Sequence, residues 1–139
     1  MNDVKINYQF LAPAELVFDA WIKEDLINKW LFAGPTSEIV DVKIDLTVNG
    51  KFSIVEHEKS NDTDIDHFGK YLEISYPRRL AFTLSVPQHF PGETTVTIEI
   101  ISGSQGCELI LTQTGVSREI TEDSWKKMLQ QLQLTLENQ

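Results

Sequence analysis

Cysteine is almost missing from this chain: Cys107 is its only one in 139 residues. A lone thiol forms no intramolecular disulfide and supplies no zinc site built on thiolates. Positive charge is also scarce, with 12 Lys and Arg against 21 Asp and Glu, a formal net charge of −9 and a pI near 4.7. That is the wrong sign for a partner bound by releasing counterions from phosphates, so neither nucleic acid nor an anionic membrane is expected. No apolar window approaches the roughly 20 residues of a membrane span. Met1 to Phe10 lacks the basic stretch and apolar run of a secretory leader, so a cytoplasmic protein is expected. Without that leader, the acceptor pattern Asn61-Asp62-Thr63 carries no weight.

What is present is ordinary globular material, 41% hydrophobic and 24% charged, and the length suits one domain over residues 1–139. The strongest helical signal comes last, from Thr121 to the C-terminus. There Trp125, Met128, Leu129, Leu132 and Leu136 share one face, and Lys126, Lys127, Gln130, Gln131 and Gln133 share the other. Thr121 is the expected cap, with Glu122 and Asp123 at the positive end of the helix dipole. A helix with so bulky a face needs an apolar surface to lie on.

The preceding residues supply one. Val4, Ile6, Tyr8 and Phe10 alternate with polar neighbours as a first strand. Pro13 opens a short helix with Leu16, Val17, Ala20 and Trp21 on one face. A second follows through Leu26, Ile27, Trp30 and Leu31, ending at Gly34-Pro35. Strands are then expected at Ile39–Leu46 and Lys51–Glu58, joined by an Asn49-Gly50 turn, and at His67–Ser75 after a polar loop from Lys59 to Asp66. Alternation resumes at Leu80–Val86, Val96–Ile100 and Leu109–Thr112. Short connections imply an antiparallel meander of six to seven strands, an α+β domain whose curved sheet wraps the C-terminal helix, with two short helices after strand one.

Several local patterns fall in the order of a known superfamily. Pro13 precedes Val17-Phe18-Asp19-Ala20-Trp21, then Leu26 and Lys29-Trp30. Further on come Val48-Asn49-Gly50-Lys51-Phe52, Gly69-Lys70-Tyr71-Leu72-Glu73-Ile74, Pro77-Arg78-Arg79-Leu80-Ala81-Phe82-Thr83, Thr95-Val96-Thr97-Ile98 and Trp125. Together they resemble the START-like (SRPBCC) superfamily over nearly the whole chain, most closely the branch related to the C-terminal domain of the activator of heat-shock-protein-90 ATPase. The resemblance implies a helix-grip fold. Asn49 stands where the family often has a second glycine, and the residues after Trp30 differ, so the turn and the helix exit are expected to be shaped differently here.

Candidate chemistry is thin. Asp62, Asp64, Asp66 and Glu73 take positions 1, 3, 5 and 12 of a calcium-loop spacing, but His67 stands where the loop needs glycine, and no metal is expected. His57, His67 and His89 lie on separate segments; His57 and His67 read as exposed strand residues, with a cross-hairpin pair of the two as the alternative. Equal parity would put Glu73 and His67 on one face of a regular strand. Cys107 has no basic neighbour in sequence to activate it and reads as a small buried hydrophobe.

The expected function is therefore non-enzymatic binding of a small hydrophobic or amphipathic ligand in a cavity between sheet and C-terminal helix. Trp21, Trp30, Phe52, Phe82, Trp125 and Leu129 would line it, and Tyr71 would be a polar handle if its strand face turned inward against the competing Leu72 and Ile74. No cofactor is expected, and the chain would act as a monomer or homodimer. The resemblance implies an alternative, a protein-interaction module acting on a chaperone or other partner. A cyclase or dehydratase using a cavity histidine or carboxylate is a third reading.

Overall fold

Side-chain alternation makes Val4–Phe10 a strand, β1, that buries Val4, Ile6 and Phe10 and leaves Lys5, Asn7 and Gln9 in water. The computed structural model describes residues 3–116 and 118–138; Met1 and Gln139, the ends of the two terminal segments discussed above, lie outside them. Helix α1, Ala14–Ile22, starts on the carbonyl of Pro13, which accepts from the N–H groups of Leu16 at 3.1 Å and Val17 at 3.2 Å. It buries Ala14, Val17, Phe18 and Trp21, the i, i+3, i+4, i+7 set, with Ala20 beside them. Leu16, expected on this face, falls off that set and is exposed.

Helix α2, Glu24–Trp30, stops before Gly34: Leu31 N–H bonds the Ile27 carbonyl at 3.0 Å, and Phe32 then adopts φ 63. The rest of the chain is β2 (Ser37–Ile44), β3 (Lys51–Glu58), β4 (Thr63–Ser75), β5 (Arg79–Ser85), β6 (Glu93–Gly103), β7 (Gly106–Thr114) and α3 (Arg118–Glu137). All seven strands form one antiparallel sheet in the order β1-β7-β6-β5-β4-β3-β2, a meander closed by β1 on β7.

Some boundaries differ from expectation for physical reasons. β4 begins at Thr63, inside the tract read as loop, because the ladder with β3 continues out to Glu58 opposite Thr63, and His57 pulls in Asp62 (3.1 Å) and Asp64 (2.7 Å). α3 begins at Arg118, so Thr121 lies in its first turn and is not its cap. Residues 118–120 are exposed and give no periodic signal before Trp125. The β2–β3 connection runs over residues 45–50, longer than the two-residue turn expected. Asn49 there takes φ 70, the left-handed backbone that the family's glycine would favour, while a Cβ on buried Gly50 would strike the Asp45 carbonyl.

The helices fill the concave side. α3 packs on β1 and α2, α2 on β2, and α1 meets β6 and both other helices. Trp125, Leu129 and Leu132 of α3 are fully buried, with Met128 and Leu136 partly so. This is the α+β helix-grip arrangement, a curved sheet closed over the C-terminal helix. Among the described residues no helix is long and apolar enough to cross a membrane.

Candidate functional site: an aromatic hollow beneath Phe32

Strand parity aims Phe52 and Ile54 of β3, Tyr71 of β4, and Leu80 and Phe82 of β5 toward the helices, where all are buried. A bulge at Leu72 moves the register from Tyr71 opposite Phe82 to Glu73 opposite Ala81. The bulge settles the ambiguous strand: Tyr71 and, after it, Ile74 join the core, whereas Leu72 is turned out. Facing these residues from above are Trp21 of α1 and the pair Leu31 and Phe32 just past α2, and together they enclose a hollow.

The rings form a continuous cluster. Phe52 meets Tyr71 and Phe82 with centroids 5.4 Å away in each case; Trp21 lies 6.4 Å from Phe82, 4.7 Å from Trp30 and 5.8 Å from Trp125. Of the residues expected to line a pocket, Trp21, Phe52, Tyr71 and Phe82 do so, and Trp30, Trp125 and Leu129 lie outside the lining in the packed core. The hollow therefore sits under the α1 and α2 end of the sheet, not under α3. Its free volume is about 10 Å³, close to that of one water molecule. Leu31, Phe32, Ile54 and Leu80 also line it and were not among the residues expected there; Phe32 directly follows the helix face expected to run to Leu31.

Phe32 is held on several sides. Its ring stacks on His67 at 4.2 Å with planes 10° apart, lies 5.9 Å from Trp125, and its N–H donates to Met128 Sδ at 3.1 Å. His67 is thus a buried residue, contrary to the exposed strand histidine expected, because it shares the inward parity of Tyr71. Burial pulls its pKa down to about 4, with the backbone of Ile54 and Ile65 opposing and the charge of His89 adding to the fall. His57, of the other parity, is on the outer face with Asp62 and Asp64.

Beside His67, the buried carboxylate of Glu56 approaches its Nε2 to 3.7 Å and accepts from Ser37 Oγ at 2.6 Å. Burial raises the Glu56 pKa, with the Ser37 hydrogen bond opposing. Ser37 donates to the carboxylate and not to the imidazole, so the trio contains no activated nucleophile. Glu73 is turned to the outer face by the bulge and is bound to Arg79 at 2.8 Å, which also reaches Glu99 at 3.3 Å; it shares no face with His67. Burial raises the Cys107 pKa, which keeps the thiol protonated and inert. Among the described residues no three His, Cys, Asp or Glu side chains are grouped to hold a metal ion.

A second, wide-open groove between α2 and α3 is lined by Lys29, Gln131, Leu134, Thr135 and Asn138. Among the described residues, the buried side-chain nitrogens left without a partner, Trp21 Nε1 and His67 Nδ1, belong to the aromatic cluster and not to this groove.

Comparison with known proteins agrees with this architecture. The sequence profile of the Activator of Hsp90 ATPase homolog 1-like protein family matches residues 11–137. No curated protein matches the chain. Among solved structures, a protein from Chromobacterium violaceum superposes with a TM-score of 0.86 at 23% identity, covering 96% of this chain and 95% of its own. A protein from Nitrosomonas europaea gives 0.83 at 23% identity, covering 99% and 95%. An AHSA1-like protein from Aeromonas hydrophila gives 0.82 at 20% identity, covering 98% and 92%. At these identities the likeness establishes the fold alone.

Proposed function

This chain belongs to the Activator of Hsp90 ATPase homolog 1-like protein family, and from that membership and the geometry of Phe32 we propose that it is a non-enzymatic binder of a small apolar or amphipathic molecule. The observation that carries the reading is a bulky aromatic residue held at φ 63 as the cover of an aromatic hollow. Such a residue is a backbone outlier costing on the order of 1–3 kcal/mol, and outliers of this kind gather at ligand clamps. Small-ligand sites typically enclose about 300–1,000 Å³, against about 10 Å³ here. Entry therefore requires Phe32 to move off His67. The ligand then takes the place of the Phe32 ring against Trp21, Phe52, Tyr71 and Phe82. The single buried thiol, Cys107, suits the cytoplasm as its place of action.

Titration with N-phenyl-1-naphthylamine tests this. The dye should quench tryptophan emission in the wild type and bind more tightly to Phe32→Ala, whose hollow is already open. Silence in both proteins sinks the reading. The small free volume and the net charge of −9 favour a second one, a module that docks on a basic surface of a chaperone or other protein. A pull-down at moderate salt that recovers no stoichiometric partner would count against that alternative.

A further inference from the structure

We infer, resting on the ligand-binding reading above, that the hollow selects an uncharged ligand bearing a hydrogen-bond acceptor such as a ketone or ether oxygen, and that Trp21 Nε1 is the group that reads it. Trp21 is 2% exposed, and its Nε1 has no hydrogen-bond partner among the described residues. The other two indoles of the same cluster are satisfied within the protein: Trp30 donates to the Ala20 carbonyl at 2.9 Å and Trp125 to Gln113 Oε1 at 2.8 Å. An indole N–H is a donor only, and a buried donor left unpaired destabilises the fold. Of the three tryptophans, the one that lines the hollow is the one whose donor is free.

The walls decide the charge of what can pair with it. No Lys, Arg, Asp or Glu is among the lining residues, and the Glu56 carboxylate beside His67 is already engaged by Ser37. A charged ligand would lose its hydration there with no counter-charge to replace it. An anion would further oppose the net charge of −9. A cation would find aromatic faces, but also the positive end of the indole N–H dipole. Tyr71, its ring 6.4 Å from that of Phe82, adds a second neutral polar group: burial alone raises its pKa, with no hydrogen bond or charge contributing. A neutral acceptor satisfies the free N–H and costs least to desolvate.

Four probes on one frame test the inference: 2-acetylnaphthalene, 2-ethylnaphthalene, 2-naphthoate and (2-naphthylmethyl)trimethylammonium, each titrated into the full chain while the indole N–H resonances are followed by NMR. The ketone should bind roughly three- to tenfold more tightly than the hydrocarbon, the increment of one hydrogen bond. It should move the Trp21 indole proton downfield and leave those of Trp30 and Trp125 in place. Trp21→Phe, which keeps a ring but removes the donor, should bind ketone and hydrocarbon equally. If that variant does not fold, the wild-type indole shifts decide alone. Equal affinities of the wild type for ketone and hydrocarbon, or tightest binding of either charged probe, would overturn the acceptor assignment while leaving ligand binding intact. No binding of any probe would overturn ligand binding itself and this inference with it.

Discussion

Trp125 Nε1 donates to Gln113 Oε1 at 2.8 Å in the packed centre of the molecule. Gln113 passes the bond on, its Nε2 donating to Thr94 Oγ1 at 3.0 Å, and Thr94 in turn donates to the Leu84 carbonyl at 2.9 Å. This buried relay ties α3 to β7, β6 and β5. Gln113→Leu preserves volume but orphans the Trp125 indole, and should cost about 1–3 kcal/mol, read as a lower urea midpoint with an unchanged slope. A midpoint equal to wild type would mean that the relay contributes nothing net.

Leu129 is fully buried and outside the hollow. Leu129→Ala should therefore behave as an ordinary core truncation and cost about 2–5 kcal/mol. A loss well under 1 kcal/mol would place Leu129 beside free space and move the cavity back under α3.

A Cβ on Gly69 would run into the backbone carbonyl of Thr83 on the neighbouring strand. The obstacle is main chain and cannot rotate away. Gly69→Ala should push β4 from β5 and cost at least about 2 kcal/mol, measured by thermal or urea unfolding. Near-neutral behaviour would show that the two strands separate cheaply.

Acid should weaken the fold through His67. Its folded pKa, about 4, lies below the ordinary 6.5. Between those values the unfolded chain binds more protons, so the stability held by neutral His67 is complete above pH 6.5 and is lost as pH falls through 4. The full term is at most about 3 kcal/mol. Glu56, whose pKa is raised by burial, acts the other way and recovers part of it in acid; His89 adds a repulsion that keeps His67 neutral. Urea midpoints from pH 7 to pH 4.5 should decline in the wild type and decline less in His67→Gln. Parallel declines in both would assign the acid sensitivity elsewhere.

Much of this was legible beforehand because periodicity is a local property. Alternation at Val4–Phe10 and the face of Trp125, Leu129 and Leu132 identify the strand, the helix and the sides they bury. The bulge at Leu72 was not legible, because it follows from the curvature of the whole sheet, and its parity change sent Glu73 outward. Phe32 continues the apolar run of α2, so nothing in that run signals that the backbone reverses there. Gln113 and Thr94 occupy inward positions in otherwise apolar strands; only their three-dimensional proximity reveals them as a relay. Of the expected site, the residues that reached the hollow came from the strands and α1. Which side of a filled core keeps a space depends on how far each helix sinks into the sheet, a sum over many contacts that no short stretch of sequence encodes.

The pairing of β1 with β7 sets an order of events during synthesis. Val4 lies opposite Gln113 and Phe10 opposite Cys107. The first of the seven described strands to be made is therefore among the last to find its neighbour. At about 5–20 residues per second, it waits roughly 5–20 s for β7 to be made. Meanwhile Tyr8 and Phe10, which finish against Gln133 and in the core, have no native shelter. A nascent chain stalled before β7 should expose them to holdase chaperones, and release of the remaining residues should end that exposure in one cooperative closure.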